Sequence, residues 1–225
     1  RRSARSDAHY VREREWQAAQ SVTLWADTSR AMGFSGDKSR GTKAERAQLL
    51  ALALSVLLLR GGERVGLAGD ATPPRAGRAQ LDRLAMRLGL EGSADYGVPD
   101  TMGIVSYGRA VFLSDFLGNL TGVEAALGQA ADRGVRGALV QVLDPAEEEF
   151  PFDGRTIFES MGGSLRHETQ RAGDLRSRYL ARLAERKDRL ETIARASGWH
   201  YHCHHTGQGA QLALLWLYRA LERAV

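Results

Sequence analysis

The chain has 225 residues, of which 43% are hydrophobic and 26% are charged, a composition typical of a globular protein with one sizeable core. Its net charge is only +4, and its acidic and basic residues are mixed along the chain, which argues against a nucleic-acid-binding protein. No apolar run approaches the roughly 20 residues that cross a bilayer, so we expect no membrane span in this chain and a cytoplasmic location.

The ends of the chain and its cysteine content bear on its organisation. Because the chain begins at Arg1 rather than Met, we expect it to be the C-terminal part of a longer polypeptide. We predict one domain over residues 1–225. The single cysteine, Cys203, excludes an internal disulfide framework, in agreement with a reducing compartment.

The first predicted elements are two strands, the amphipathic "YVREREW" and the more apolar "SVTLWAD". A polar loop over residues 33–41 follows. Thr42 and Glu45 then form a capping-box pattern, which predicts a helix that runs through Leu59 and ends at the glycines after it. The later part of this helix is apolar all round, so we expect it to be covered on most sides.

The middle of the chain alternates strands with helices. "ERVGLAG", "AVFLSD" and "GALVQVLD" predict strands, and "RAQLDRLAMRLG" predicts a short amphipathic helix. "TGVEAALGQAADRG" predicts another helix, with a second capping box at Thr121 and Glu124, whereas residues 91–108 are glycine-rich and have no clear assignment. The alternation favours an α/β fold: a Rossmann-like, doubly wound, mainly parallel sheet with helices on both faces. We expect residues 22–26, 65–67, 111–113 and 138–143 to lie in this one sheet.

Three aspartates, Asp27, Asp115 and Asp144, directly follow apolar strands. In a parallel sheet the carboxyl ends of the strands share one edge, and ligands gather there where the chain order reverses. For each aspartate the alternative is a simple turn residue whose carboxylate binds nearby backbone amides. The sequence predicts that Asp27, Ser29 and Asp115 share a small cleft at this edge.

The same residues carry a family resemblance. The order "VTLWADTSRAM", helix, "ERVGLAG", helix, glycine-rich loop, "AVFLSDF" resembles the von Willebrand factor A domain. More narrowly, "RRSARSDAHYVREREWQAAQSVTLWADTSRAM" with the later "VQVLDPAEEEFPFDG" is similar to a large bacterial family catalogued as domain of unknown function fifty-eight. The resemblance covers nearly the whole chain. It implies a Rossmann-like fold, and members of this family often look like partners of MoxR-type AAA+ ATPases in chaperone-like assembly.

The resemblance also implies an ion site, which relatives build from Asp-x-Ser-x-Ser, a distant Thr and a distant Asp. Asp27, Ser29 and Asp115 match three of these positions and are the predicted ligands of Mg²⁺ or another divalent cation. Ala31 stands at the second serine position. Since Mg²⁺ requires near-octahedral oxygen ligation, the loss of this hydroxyl predicts a degenerate site with weak ion binding.

The distant threonine has no clear counterpart, and the sequence leaves open whether Ser93, Thr101 or neither replaces it. Arg30 lies between the matching positions and offers a cation where the ion would bind. We therefore expect a protein partner to be bound by Arg30 together with the three predicted ion ligands.

Near the C-terminus "WHYHCHHT" predicts a strand between two helices, "RYLARLAERKDRLETIARA" and "GAQLALLWLYRALERA". The alternation of a strand places His200, His202 and His204 on one face. Histidines at this spacing can bind zinc when a fourth ligand is present, or they can hydrogen-bond to neighbouring loops. The sequence leaves both alternatives open.

Two classes of function fit these observations. The chain has no P-loop, no G-x-G-x-x-G after a strand and no identifiable catalytic triad. The acidic run "DPAEEEF" predicts a solvated loop or a docking patch. We favour a non-enzymatic protein-interaction module over the alternative, a metal-dependent hydrolase with Asp27 and Asp115 as ligands, because hydrolysis needs a positioned base or activated water and the sequence offers no such residue.

Overall fold

The structure is a computed structural model that describes residues 2–3, 6–9, 19–90, 92–159, 163 and 166–222. Two short strands, β1 (Arg2–Ser3) and β2 (Ser6–His9), pair antiparallel at the start of the chain. The first predicted strand, "YVREREW", lies outside the described residues. The later strands are β3 (Ser21–Ala26), β4 (Arg64–Leu67), β5 (Arg109–Ser114), β6 (Arg136–Leu143), β7 (Thr156–Glu159), β8 (Arg166–Thr169) and β9 (His200–His205).

Five of these strands form one parallel sheet in the order β4-β3-β5-β6-β9. The chain leaves β3 toward one side to form β4 and then returns to the other side to form β5. The chain order therefore reverses between β3 and β5, and the crevice outside their carboxyl ends is the place where such sheets bind ligands. The four segments predicted to share a sheet do so, which confirms the Rossmann-like α/β fold.

The central strands are buried because they carry apolar side chains on both faces of the sheet. Five of the six residues of β5 and seven of the eight residues of β6 are buried. Continuous apolar strands are typical of parallel sheets that are covered on both faces. Helices supply this cover, and they are α1 (Lys43–Arg60), α2 (Arg78–Leu88), α3 (Thr121–Asp132), α4 (Pro145–Glu149), α5 (Arg176–Ala196) and α6 (Ala210–Glu222).

The two faces of the sheet have separate cores. Helices α1, α2 and α6 pack on one face, against residues such as Leu24, Val111 and Val140. Helices α3 and α5 pack on the other, against Phe112 and Leu139. None of the described helices is both long enough and apolar enough to cross a membrane.

Helix α1 begins with the capping box predicted from its sequence. The backbone N–H of Glu45 donates to the Thr42 hydroxyl at 3.2 Å, and the Thr42 N–H donates back to Glu45 Oε2 at 2.7 Å. Helix α1 is covered on most sides, as predicted, because it packs on the sheet and also against α2 and α6. A narrow outer strip faces solvent, where Leu49 is 52% exposed and Leu57 is 40% exposed.

The second capping box, predicted at the start of α3, is not present in the structure, so that prediction was wrong. Asn119 accepts hydrogen bonds from both the backbone N–H and the hydroxyl of Thr121, at 2.9 and 2.8 Å. Thr121 therefore lies inside the helix, with Leu120 at the N-cap. The Glu124 carboxylate instead pairs with Arg189 of α5 at 2.7 Å.

An antiparallel hairpin, formed by β7 and β8, stands apart from the main sheet. It comes after α4 and before α5, and a short 3-10 helix, Ala172–Leu175, leads from it into α5. Another 3-10 helix, Arg30–Gly33, follows β3. The 3-10 helix Arg30–Gly33 and the hairpin both come after a strand of the sheet in the sequence, the helix after β3 and the hairpin after β6 and α4.

Candidate functional site

Asp27 lies directly after β3 and is almost fully buried. Its backbone N–H donates to the carbonyl of Leu113 at 2.8 Å, so it extends the pairing of β3 with β5. Its Oδ1 accepts the N–H of Ser29 at 2.8 Å, and its Oδ2 accepts the hydroxyl of Ser114 at 2.6 Å. Each oxygen of this carboxylate therefore already holds a hydrogen bond.

The glycine-rich segment, described from residue 92 to residue 108, covers Asp27. Its backbone pairs with the residues after β3, through Gly92 N–H to the Thr28 carbonyl at 2.9 Å and Arg30 N–H to the Ala94 carbonyl at 2.9 Å. A Cβ on Gly97 would lie 2.2 Å from Oδ1 of Asp27, closer than any side chain allows. Glycine at this position lets the backbone close over the carboxylate.

Asp115, at the end of β5, forms a buried ion cluster with Lys43 and Glu147. The Lys43 ammonium lies 2.7 Å from Oδ2 of Asp115 and 2.6 Å from Oε1 of Glu147. The exposed fractions of the three side chains are 1% for Lys43, 2% for Asp115 and 13% for Glu147. The other oxygen of Asp115 accepts the N–H of Leu117 at 3.0 Å. One buried cation thus faces two carboxylates at the point where the chain order reverses.

The charges of this cluster influence one another. Burial lowers the pKa of Lys43, but the attraction of Asp115 and Glu147 outweighs it and raises the pKa above its usual value. Burial raises the pKa of Glu147, despite the opposing attraction of Lys43. The ammonium is therefore charged at neutral pH and is a poor candidate for a general base.

A cleft of about 150 Å³ opens over the ion cluster. Its wall includes Ala31 and Tyr96 beside Lys43, Asp115 and Glu147. Of the three residues predicted to share one cleft, Asp115 lines this one, whereas Asp27 and Ser29 do not. Asp27 lies under the glycine-rich segment and accepts the hydroxyl of Ser114, the residue before Asp115.

The other predicted site residues are dispersed. The Ser29 hydroxyl is buried and has no hydrogen-bond partner among the residues that the structure describes. Arg30 is exposed and does not line the cleft, so the hypothesis that it supplies the cation was wrong. Ser93 is exposed, and the Thr101 hydroxyl donates to the Gln129 side chain at 2.7 Å, so neither replaces the distant threonine in the cleft.

These residues do not fit a divalent ion as they are arranged. All four oxygens of Asp27 and Asp115 accept hydrogen bonds, and the Lys43 ammonium holds a positive charge where an ion would need a vacant coordination site. The Ser29 hydroxyl is a single neutral ligand, whereas Mg²⁺ takes six oxygens. In the described part of the chain no group of three or more His, Cys, Asp or Glu side chains is placed to hold a metal.

Lys43 is the residue that sequence reasoning missed, although a signal was present. It is the first residue of α1, directly after the N-cap. A cation there is disfavoured by the positive end of the helix dipole. A lysine at this position therefore indicates a specific anionic partner, which the structure identifies as Asp115 and Glu147.

The acidic run after β6 is not a solvated loop, because Glu149 alone of its four carboxylates is exposed, and the docking alternative stays a prediction. Asp144 is fully buried, caps α4 and accepts the Thr206 hydroxyl at 3.0 Å. Glu147 returns the capping bond and also binds Lys43, and Glu148 pairs with Lys187 of α5. An Asp-Pro pair is well suited to begin a helix, which turns this run of carboxylates inward.

The predicted histidine strand is confirmed as β9, at the end of the sheet. His202 stacks on Trp216 of α6, with ring centroids 4.7 Å apart, and His200 is exposed. The Nε2 of His204 accepts a hydrogen bond from Arg46 at 2.9 Å, and burial together with this guanidinium lowers the pKa of His204 to about 4. The geometry supports the hydrogen-bonding alternative rather than zinc.

Comparison with known proteins places the chain in a family. A family model described as "Protein of unknown function DUF58" matches residues 1–189. The chain belongs to this family. This DUF58 chain resembles the crystal structure of an aerotolerance-related membrane protein from Bacteroides fragilis, with 16% identity, a TM-score of 0.54 and coverage of 91% of this chain and 100% of that one. Identity this low establishes the fold alone.

A second solved structure, the conserved hypothetical protein BatB from Bacteroides thetaiotaomicron, matches the DUF58 chain with 16% identity over 91% of this chain and 100% of that one. Its TM-score is 0.48, which is too low to add to the fold assignment. Among curated proteins, none matches this sequence.

Proposed function

We propose that this domain is a non-enzymatic, von Willebrand factor A-like interaction module that binds a protein partner at the carboxyl edge of its sheet. The observation that carries the proposal is the buried cluster of Lys43, Asp115 and Glu147 at the reversal of chain order. In this proposal the Lys43 ammonium does the structural work that a divalent ion does in relatives, because it holds a carboxylate of β5 to the start of α1. Mg²⁺ binds only weakly beside it.

The chemistry of the cleft supports interaction rather than hydrolysis. A hydrolase would need a base or an activated water next to the substrate. The carboxylates of Asp27 and Asp115 already accept hydrogen bonds from protein groups, and the raised pKa of Lys43 keeps its ammonium protonated. None of the three is available as a base. No observation favours the alternative of a metal-dependent hydrolase.

The partner that the family resemblance implies is a cytoplasmic MoxR-type AAA+ ATPase. A test is to measure the affinity of the domain for the purified MoxR-type ATPase of the source bacterium by biolayer interferometry. Arg30→Glu and Tyr96→Ala change exposed side chains at the carboxyl edge. We expect each to weaken binding at least tenfold.

The matched control is Arg60→Glu, because Arg60 is an exposed arginine at the far end of α1, beside the amino ends of the strands. It makes the same charge change as Arg30→Glu on the opposite edge. We expect its affinity to stay within twofold of the wild type. Equal binding by all three variants, or a loss confined to Arg60→Glu, would show that the carboxyl edge is not the binding face.

A further inference from the structure

A second and larger hollow adjoins the cleft and is lined by aromatic rings. It has a volume of about 640 Å³ and shares Phe34 and Glu147 with the cleft over the ion cluster. Its rings come from the end of α4, from β7 and from the first turn of α5. We call it the aromatic pocket, and its rings are those of Phe150, Phe152, Phe158 and Tyr179.

The rings pack on one another in a specific order. Phe150 is the centre, with ring centroids 5.2 Å from Phe152, 5.6 Å from Phe158 and 4.8 Å from Tyr179. Phe150 is only 5% exposed, while the other three rings are partly open to solvent. The pocket therefore has an apolar floor of packed rings, three of which are partly accessible from outside.

The backbone at Phe150 is adapted to this arrangement. Phe150 has φ 46°, a left-handed conformation that is uncommon for a bulky residue, and it ends α4 there. The turn brings Phe150 inward and lets Phe152 approach the same cluster two residues later. Directly across the hairpin from Phe158 lies His167, which also lines the pocket.

The rim of the aromatic pocket is positively charged. Arg178 and Arg182, one turn apart on α5, line it and are exposed. Within the described residues neither has a hydrogen bond or an ion pair, unlike Arg189, which pairs with Glu124. The carboxylate in the pocket wall, Glu147, is already bound by Lys43. With no partner among the described residues, these two guanidinium groups are available to an anion from outside.

A polar surface of mixed charge continues along α5 beyond the aromatic pocket. Arg182 also lines a polar hollow of about 820 Å³, together with Asn119, Arg186 and Arg189. From Arg178 to Arg189 the helix rises by about 16 Å, which is the length of about five residues of extended chain. This length suits a protein segment better than a compact small molecule.

We propose that the aromatic pocket binds an extended partner segment in which a bulky apolar side chain is flanked by carboxylates. The rings receive the apolar side chain as an anchor, and Arg178 and Arg182 bind the flanking carboxylates with their planar guanidinium groups. The inference rests on the proposed function, since it specifies the chemistry of the partner segment that the module recognises. Glu124 and Glu185 also line the polar hollow, so the carboxylates of the segment are expected to lie next to the apolar anchor, beside Arg178 and Arg182.

The test uses a fluorescein-labelled peptide, Glu-Glu-Phe-Glu-Glu, and fluorescence anisotropy with the full chain. Two control peptides separate the contributions: Glu-Glu-Ala-Glu-Glu lacks the anchor, and Lys-Lys-Phe-Lys-Lys reverses the charge. We expect the acidic phenylalanine peptide to bind at least tenfold more tightly than either control. No binding up to 1 mM protein, or equal binding of the acidic and basic peptides, would overturn the inference.

Variants locate the binding in the pocket. The double variant Arg178→Ala/Arg182→Ala changes exposed side chains and should weaken peptide binding at least tenfold with no loss of thermal stability. Its matched control, Arg78→Ala/Arg87→Ala, removes the same charge from exposed positions on α2 and should leave binding within twofold of the wild type. An equal effect of the two double variants would show that binding depends on the net charge of the protein and not on the pocket, and it would overturn the inference.

The ring cluster is tested by Phe152→Leu, which keeps an apolar side chain and is chosen because Phe152→Ala risks unfolding the hairpin. We expect a loss of about threefold to tenfold in peptide affinity, and no change in affinity would contradict the role of the rings. Failure of the inference differs from failure of the proposed function. In the first case the peptide does not bind while Arg30→Glu still weakens the ATPase complex, and in the second the peptide binds but the ATPase does not.

Discussion

Replacing Lys43 by Met removes the buried ammonium and keeps an unbranched side chain that is one atom shorter. Asp115 and Glu147 then face each other without a cation, and both are nearly inaccessible to water. Removing one partner of a buried ion pair typically costs about 3–5 kcal/mol of folding free energy. Glu147 already has a raised pKa and can take up a proton, so we expect a loss near the lower end, about 3 kcal/mol, at pH 7.

The pH dependence of this loss has a definite sign. Without Lys43 the pKa of Glu147 rises further, so the folded state binds a proton more tightly than the unfolded state does. The stability deficit of the variant is therefore smallest at low pH and grows as the pH rises through the pKa of the folded state. Urea denaturation followed by circular dichroism at pH 5 and pH 7 measures both values.

Two control variants accompany this measurement. Lys38→Met changes an exposed lysine and should alter the free energy of unfolding by less than about 0.5 kcal/mol. The double variant Lys43→Met/Glu147→Gln removes one of the two carboxylates left without a cation, and with it their mutual repulsion, and should recover at least half of the loss. A loss below about 1 kcal/mol for Lys43→Met would refute the reasoning, because removing an ammonium that binds two buried carboxylates should destabilise the fold by more than this.

The remaining predictions concern other parts of the domain. As the pH falls from about 6.5 to 4 the unfolded state protonates His204 while the folded state, with its pKa near 4, does not, so stability should drop by about 3 kcal/mol. This dependence should vanish in His204→Gln, as measured by chemical denaturation across that range. Gly97→Ala places a Cβ against Asp27 and should cost about 1–3 kcal/mol and speed amide hydrogen exchange in residues 92–97, whereas unchanged exchange would contradict the close approach. Ala31→Ser restores a hydroxyl beside the cleft, but Mg²⁺ binding should stay weak in a calorimetric titration because the Lys43 ammonium remains in place, and tight Mg²⁺ binding by the wild type or by this variant would contradict the account.

The fold was predictable because its signals are local. Four of the five strands of the sheet are short, mainly apolar runs, and each connection contains a helix of the length that a parallel crossover needs. The capping box at Thr42 was correct, and the one at Thr121 failed because Asn119 competes for the same backbone N–H. Such competition between neighbouring side chains is difficult to judge from composition alone.

The candidate site was only half predictable. The positions of Asp27 and Asp115 follow from the ends of two strands, whereas the contacts of Lys43 join it to residues 72 and 104 positions away. Pairings over such distances depend on the three-dimensional arrangement of α1 and α4. A local signal for Glu147 was nevertheless present, since Asp144 and Glu147 have the spacing of a capping box.

The most direct test of the central claim, an ion-independent binding edge, is an NMR titration. The ¹⁵N-labelled domain would be titrated with the MoxR-type ATPase in a buffer that contains EDTA. We expect the amide signals of Arg30, Tyr96 and Leu117, at the carboxyl edge, to broaden selectively in the absence of divalent ions. Broadening that appears only after Mg²⁺ is added, or that is confined to the opposite edge near Arg60, would contradict the account.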